Sequence, residues 1–291
     1  MTPTVNNPQR PGNSFPGLFF LAAVRGHLLL PAWLAALTGA SFEIGVGPAA
    51  QTDLPGRWAG LVGWSLALLA VNLVNLLADR ESDFFNAKNQ VGPAMLGVGT
   101  LAAGAAVLAV SGLFLTAWQM PRLLLPVLLS LGLGVAYSQR PLRLTGRCGW
   151  DLAAHLAGYG ILAPWIGALL VTGPSSGPTW SVDPTVGVPW LAAAFLIPVV
   201  GATFLWTALL DIRGDRMAGK QTAAVILAEH FHGLEGWSHQ AANRKLLISL
   251  VFLGVFLAGI PGFLVWPHLL VPLIIWLVLS YSVQMLASRL G

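Results

Sequence analysis

The segment LVGWSLALLAVNLVNLLADRESD, residues 61–83, is a long apolar run that ends abruptly in charged residues. A helix needs about 20 mostly apolar residues to cross the hydrocarbon core of a bilayer. The stretch that ends at Ala78 is long and apolar enough, and charge begins only at Asp79. The segment therefore predicts a membrane-spanning helix whose end carries a group of acidic side chains.

The composition of the whole chain agrees with a membrane protein. Only 9% of the 291 residues are charged and 56% are apolar, with a mean hydropathy of +0.73. A soluble globular protein has about 25% charged residues. These values exclude a soluble chain, and the single Cys148 excludes an internal disulfide framework and a multi-cysteine metal site.

Apolar runs of spanning length recur along the chain. We expect eight membrane helices, at roughly 17–40, 58–78, 93–117, 121–137, 152–171, 189–210, 246–265 and 268–287. Residues 222–240 begin apolar and then turn polar, which is typical of an interfacial or loop helix. We expect residues 1–16 to form a flexible tail and residues 17–291 a single transmembrane domain.

The basic residues predict the orientation of these helices. Twelve of them lie in the N-terminal tail, the loops after even-numbered spans and the C-terminal end, whereas the opposite loops hold only Arg57 and Arg122. Because Lys and Arg accumulate in cytoplasmic loops, both termini and the even-numbered loops should be cytoplasmic. We expect a multi-pass protein of the cell inner (plasma) membrane, and the basic residues follow its topology rather than indicating a nucleic-acid partner.

Two helix ends on the predicted cytoplasmic side carry paired carboxylates. Asn75, Asp79 and Asp83 are spaced i, i+4, i+8, so they form one stripe on a helix. Asp211 and Asp215 repeat the i, i+4 spacing in LLDIRGDRMAGKQT, residues 209–222. Carboxylates near the hydrocarbon boundary are costly unless partnered, which favours a functional role. Two carboxylates one turn apart can bind a hard cation such as Mg²⁺ together with substrate phosphates.

A cationic segment lies on the same side. AYSQRPLRLTGRCGWD, residues 136–151, contains hydroxyl side chains and three arginines. Guanidinium groups beside a metal-binding carboxylate cluster are what an anionic polyphosphate would need. Arg25 is placed inside the first span, where an Arg needs an anionic partner or ligand.

These motifs resemble the UbiA superfamily of intramembrane prenyltransferases. NLLADRESD, residues 75–83, is similar to the first Asp-rich motif, with Leu76 in place of its second Asp. DIRGDRMAGKQTAAV, residues 211–225, is similar to the short second motif of quinone-pathway members, and YSQRPLRL, residues 137–144, to the Tyr-Ser-x-x-Pro element. The resemblance implies an all-α bundle of eight to nine helices around a central chamber open to lipid.

The resemblance also implies a role for each matching residue. The catalytic residues would be Asp79, Asp83, Asp211 and Asp215, which would bind Mg²⁺ together with Asn75. The diphosphate of the substrate would be bound by Arg25, Lys88, Tyr137, Ser138, Arg140, Arg143, Arg147, Arg216 and Lys220. Asn72 would face the acceptor. His155 is expected to pair with Asp151 one turn earlier on its helix rather than to act as a general base.

The implied activity is transfer of an isoprenyl chain from a prenyl diphosphate to an aromatic acceptor, in the manner of quinone biosynthesis. Neutralising the diphosphate lets it leave, and the allylic cation that remains must be shielded from water. A UbiA-like terpene cyclase would use the same acidic motifs without an acceptor. A transporter would be expected to place its carboxylates near mid-membrane rather than at one boundary.

Overall fold

The structure, a computed structural model, describes residues 24–46, 54–80, 97–172 and 188–230. Within these ranges the chain is helical and contains no β-strand, apart from an isolated bridge between Arg147 and Gln221. The predicted all-α class is therefore confirmed.

Seven continuous helices make up the described part of the chain. They are α1, Leu29–Val46; α2, Leu54–Ala78; α3, Val98–Gln119; α4, Leu124–Ser138; α5, Trp150–Val171; α6, Val188–Met217; and α7, Ala223–His230. Short 3-10 turns precede α1 and α4, at Gly26–Leu28 and Pro121–Leu123. The predicted break between the third and fourth spans lies at this second turn, where Pro121 begins a new element.

Four of the described helical segments are long and apolar enough to cross a membrane: Leu54–Ala78, Val98–Gln119, Pro121–Ser138 and Trp150–Val171. The chain is an integral membrane protein. The first six expected spans each correspond to a helix, whereas the spans expected at 246–265 and 268–287 lie outside the described residues. The interfacial helix expected within 222–240 begins as α7, and the rest of that range also lies outside them.

Within the described residues, the first helix does not include Arg25. Arg25 was expected inside the span 17–40, but it lies in a turn, at a positive φ of 51°, before the 3-10 turn and α1. A left-handed residue cannot continue a right-handed helix, so the helix begins only after it. Arg25 thus lies just before the N-terminal end of α1 rather than within a continuous helix.

Small residues bring the helices into close contact. Gly39 of α1 lies against the backbone of Pro164 in α5, and Gly167 of α5 lies against the backbone of Ala36. Gly63 of α2 lies against the hydroxyl of Thr116 and the backbone of Gly112 in α3. Such contacts let backbones approach closely in a membrane, where burial of apolar surface gives no advantage over lipid.

Helix α5 changes its winding in the middle. Leu156–Leu162 form a π-helical segment between two α-helical segments. Pro164 is the second residue after this segment, and proline can neither donate a backbone hydrogen bond nor tolerate the carbonyl one turn earlier. The wider turn absorbs this conflict and rotates the residues before it relative to those after it.

We predict that Gly39→Ala lowers the stability of the protein, because an added Cβ would overlap the backbone of Pro164. Overpacking of this kind costs about 1–3 kcal/mol. Gly132→Ala in α4 is the matched control, because nothing lies within 4 Å of its added Cβ. Thermal unfolding in detergent should show a clearly lower melting temperature for Gly39→Ala and an unchanged one for Gly132→Ala. Equal melting temperatures for the two variants would contradict the close α1–α5 contact.

Candidate active site

A cavity of about 400 Å³ lies among α1, α2, α4, α5 and α6. Much of its wall is apolar, from side chains such as Leu68, Val71 and Phe204. Polar groups converge where α2 and α6 end. They are Asn75, Asp79, Asp211, Asp215 and Lys220. The predicted central chamber is therefore present, with an apolar body and one strongly charged pole.

The first acidic motif places its polar groups at the end of α2. The backbone N–H of Asp79 donates to the carbonyl of Asn75 at 2.8 Å, so Asp79 continues the helical pattern just past Ala78. The side-chain amide of Asn75 donates to Asp79 Oδ2 at 2.9 Å and lies 3.4 Å from the hydroxyl of the buried Ser138. The predicted Asn75–Asp79 stripe is present, and Asp83 and Lys88 lie outside the described residues.

The second acidic motif closes α6 with a sharp reversal of the chain. Gly219 adopts a positive φ of 69°, its N–H donates to Arg216 O at 3.0 Å, and the N–H of Lys220 donates to Asp215 O at 2.8 Å. This pair of bonds is a Schellman motif, which favours glycine at the left-handed position. The reversal returns the chain so that Lys220 lies beside Asp215.

Lys220 joins the two acidic motifs. Its ammonium nitrogen lies 2.8 Å from Asp79 Oδ1 and 3.4 Å from Asp215 Oδ1, and its side chain is only 4% exposed. Burial alone would lower the pKa of Lys220, but the carboxylates of Asp79 and Asp215 outweigh burial and raise it above its usual value. The ammonium therefore stays charged and compensates two buried carboxylates from separate helices.

Asp151 anchors the chain that follows Lys220. This residue is 1% exposed, and its carboxylate accepts the N–H of Leu152 at 2.8 Å and the N–H of Ala223 at 3.0 Å. Ala223 is the first residue of α7, where an anion is favoured by the unpaired N–H groups and the helix dipole. The N–H of Gln221 also donates to Gly146 O at 3.1 Å. Hydrogen bonds to Gly146 and Asp151 thus fix the chain directly after Lys220.

Arg25 and Asn72 meet at the side of the cavity formed by α1 and α2. Both line the cavity, and the amide of Asn72 donates to the carbonyl of Val24 at 3.3 Å. Asn72 therefore holds the turn that presents Arg25. The acceptor-facing role of Asn72 stays a prediction.

The remaining predicted cationic residues divide into two groups. Arg140, Arg143 and Arg147 do not line the carboxylate cavity; they surround a neighbouring pocket of about 400 Å³ that also includes Lys220. Arg216 is exposed at the surface and lies 3.6 Å from Glu229 of α7. Among the residues that the structure describes, Lys220 alone borders both the cavity and the basic pocket, so the two sites share one ammonium group.

Aromatic rings cluster around His155 on the cavity wall. The centroid of its ring is 5.0 Å from that of Tyr137, 4.3 Å from that of Phe204 and 6.0 Å from that of Tyr159. The predicted contact between His155 and Asp151 is present, but it joins Nδ1 to the main-chain carbonyl at 3.0 Å, because the Asp151 carboxylate binds α7.

The structural roles of two residues, Gly219 and Asp151, were not predicted from the sequence. Gly219 could have been found, because Gly directly after the last helical turn indicates a left-handed helix end. Asp151 gave no such signal, since its partner Ala223 is 72 residues away.

The UbiA prenyltransferase family matches residues 44–289 of this chain. Among curated proteins, none matches the sequence. A structure of a UbiA homolog from Archaeoglobus fulgidus bound to DMAPP and Mg²⁺ is 14% identical, with a TM-score of 0.56, and the match covers 91% of this chain and 98% of that chain. The structure of a UbiA homolog from the same organism bound to GPP and Mg²⁺ is 15% identical, with a TM-score of 0.57, over 91% and 99%. These likenesses establish a shared fold.

We predict that Asp151→Asn destabilises the protein, because an amide can no longer accept both backbone N–H groups. A buried donor left without a partner costs about 1–3 kcal/mol. Thermal unfolding in detergent measures the loss. Glu229→Gln is the control, since its ion pair with Arg216 is exposed and such pairs contribute about 0–1 kcal/mol. Asp151→Asn as stable as Glu229→Gln would show that the carboxylate does not anchor α7.

Proposed function

Since this chain belongs to the UbiA prenyltransferase family, we propose that it moves an isoprenyl chain from a prenyl diphosphate to an aromatic acceptor, within the membrane. The branch we propose is the one that makes quinone precursors, because the second acidic motif resembles that branch. One transmembrane domain over residues 17–291 would carry this activity.

One observation carries the proposal: the two acidic motifs meet at one pole of an apolar cavity. Asp79 and Asp215 lie on different helices, yet Lys220 contacts both at 2.8 and 3.4 Å. A prenyl diphosphate has a polyanionic head and a long apolar tail. The charged pole suits the head when cations accompany it, and the apolar wall suits the tail.

The donor set at this pole fits Mg²⁺ that arrives with the substrate. Within the described residues, no three His, Cys, Asp or Glu side chains stand close enough to bind a metal by themselves. Mg²⁺ does not require such a cage, because one or two carboxylates plus substrate phosphates are its usual ligands in proteins. Asp79, Asp211 and Asp215, with Asp83 and Asn75, are the proposed ligands. Bound Mg²⁺ would neutralise the diphosphate and make it a better leaving group.

The cationic residues would complete this neutralisation. Lys220 is placed to exchange its carboxylate contacts for phosphate oxygens when a metal replaces its charge. Arg25 lines the same cavity. The roles of Tyr137 and Ser138 in diphosphate binding, and of Lys88, Arg140, Arg143, Arg147 and Arg216, stay predictions.

The apolar wall would protect the allylic cation after the diphosphate leaves. Tyr137, Tyr159 and Phe204 line the cavity around His155, and aromatic faces stabilise a nearby cation. Exclusion of water keeps the cation available for attack by an electron-rich ring carbon. These features support transfer to an aromatic acceptor.

We predict that the purified protein with Mg²⁺ converts geranyl diphosphate into a prenylated aromatic product when a phenolic or naphthoic acceptor is present. Mass spectrometry should find a product that joins both carbon skeletons, with 4-hydroxybenzoate and 1,4-dihydroxy-2-naphthoate as the first acceptors. Consumption of the diphosphate should be much slower without an acceptor. Rapid acceptor-independent formation of a cyclic terpene would show a terpene cyclase instead.

The same assay tests the acidic pole. Asp79→Asn and Asp215→Asn should each lower product formation about 100-fold or more, since each removes a carboxylate ligand of the Mg²⁺ that would neutralise the departing diphosphate. Glu43→Gln makes the same carboxylate-to-amide change outside the cavity and should keep its activity. Full activity of the Asp variants, or of the wild type in EDTA, would refute the metal assignment.

We further propose that the charged pole faces the cytoplasm, and the native Cys148 offers a test. It is the one cysteine of the chain, and it is exposed in the loop that borders the basic pocket. A membrane-impermeant maleimide should label it in inverted membrane vesicles and leave it unlabelled in intact cells. Cys148→Ser should abolish the label in both. Labelling of intact cells would reverse the orientation.

A further inference from the structure

His155 occupies a distinctive position on the cavity wall. It is the last residue of the Trp150–His155 segment, directly before the π-helical turn of α5. It lines the cavity together with Gly158 and Tyr159 of that turn. The three aromatic rings around it, at centroid distances of 4.3 to 6.0 Å, fix the plane of the imidazole.

The hydrogen bond to Asp151 determines which ring nitrogen carries the proton. Nδ1 of His155 lies 3.0 Å from the main-chain oxygen of Asp151. A carbonyl oxygen only accepts hydrogen bonds, so Nδ1 must be the donor. In the neutral imidazole, Nε2 is then the basic nitrogen. Within the described residues, Nε2 makes no hydrogen bond, and it remains an available proton acceptor on the cavity wall.

His155 lies deeper in the cavity than the acidic pole. Its position suits a group that acts on the carbon skeleton of the substrate rather than on the diphosphate. Its closest aromatic neighbour, Phe204, precedes Asp211 by seven residues on α6, which is about 10 Å along a helix. Tyr137 contacts His155 and directly precedes Ser138, whose hydroxyl lies 3.4 Å from the Asn75 amide at the acidic pole. His155 therefore stands inward of the proposed diphosphate site, beside the space where the reactive end of the chain and the acceptor would meet.

Other basic groups around the cavity are engaged. The carboxylate of Asp151 accepts the N–H groups of Leu152 and Ala223. Asp79 and Asp215 bind the ammonium of Lys220. The hydroxyl of Thr207 donates to Phe204 O at 2.8 Å. A neutral imidazole is a better proton acceptor near neutral pH than these groups or a phenol.

We propose that His155 is a catalytic base that takes the proton lost when the carbocation is converted into product. The inference rests on the proposed function. The C–O bond to the diphosphate breaks and its electron pair leaves with the phosphate. A π pair of the acceptor ring then forms the new C–C bond, and the C–H pair at that carbon restores aromaticity as the proton moves to Nε2.

The surroundings of His155 also suit the charged form that results. The imidazolium lies within reach of the rings of Tyr137, Phe204 and Tyr159, whose faces attract cations. The carbonyl of Asp151 keeps accepting from Nδ1 in both protonation states. The same base would serve a cation that has no acceptor, by removing a proton to form an alkene.

The test is how the cation partitions between proton loss and capture by water. The enzyme is incubated with Mg²⁺ and geranyl diphosphate, with and without 4-hydroxybenzoate. The 4-hydroxybenzoate is either unlabelled or deuterated at ring positions 3 and 5. The assay measures diphosphate release, prenylated product, hydrocarbon and prenyl alcohol in a single turnover. His155→Asn keeps a donor for Asp151 O and lacks the base, whereas His155→Gln places an amide near the position of Nε2.

We expect both variants to release diphosphate within about twofold of the wild-type rate. Proton-loss products should fall about 100-fold, the size of a general-base contribution, and prenyl alcohol should replace them. With the deuterated acceptor, both His155 variants should show a primary isotope effect on the formation of prenylated product, whereas the wild type should show none. Ser130→Ala, which removes a hydroxyl from the cavity wall away from His155, should leave the partition unchanged.

Two results would overturn the proposal. An unchanged partition in both His155 variants would show that the proton leaves with another group, such as the departing diphosphate. A parallel fall in diphosphate release and product would show a merely structural role. If the wild type forms hydrocarbon but no prenylated product, the proposed transfer fails while the base is still tested by the partition.

Discussion

The contact of one ammonium group with two carboxylates governs this structure. Lys220 lies 2.8 Å from Asp79 and 3.4 Å from Asp215, in a setting where its side chain is 4% exposed. A buried carboxylate without a partner would be costly, and two of them near each other would also repel. This shared cation therefore helps both acidic motifs to occupy one end of an apolar cavity.

Much of the neighbouring architecture positions that ammonium. The left-handed Gly219 turns the chain back at the end of α6, and Asp151 binds the start of α7 just beyond. Between them the chain pairs with the loop before α5, where Gln221 bonds Gly146. These three features together fix the position of one side chain, which is the degree of support that a precisely charged site requires.

The sequence predicted the elements whose signals are local. Apolar runs gave the helices, and the i, i+4 spacing placed Asn75 beside Asp79 and Asp211 one turn from Asp215. The positive φ of Arg25, by contrast, interrupts a run that looks continuous in composition. The contact of Asp151 with Ala223 depends on how two distant segments pack, and so does the division of the arginines between two pockets. Spacing along the chain carries no information about such contacts.

The basic pocket beside the cavity has a consequence for kinetics. Arg140, Arg143 and Arg147 line it with Lys220, so a concentrated positive field stands next to the charged pole. A field of this kind raises the local concentration of polyanions and speeds their encounter with the protein. Dissolved salt weakens the attraction, because the Debye length is about 8 Å at physiological ionic strength. The arginines would thus govern how often an anion is captured, whereas the carboxylates and the imidazole deeper in the bundle would govern what happens to it afterwards.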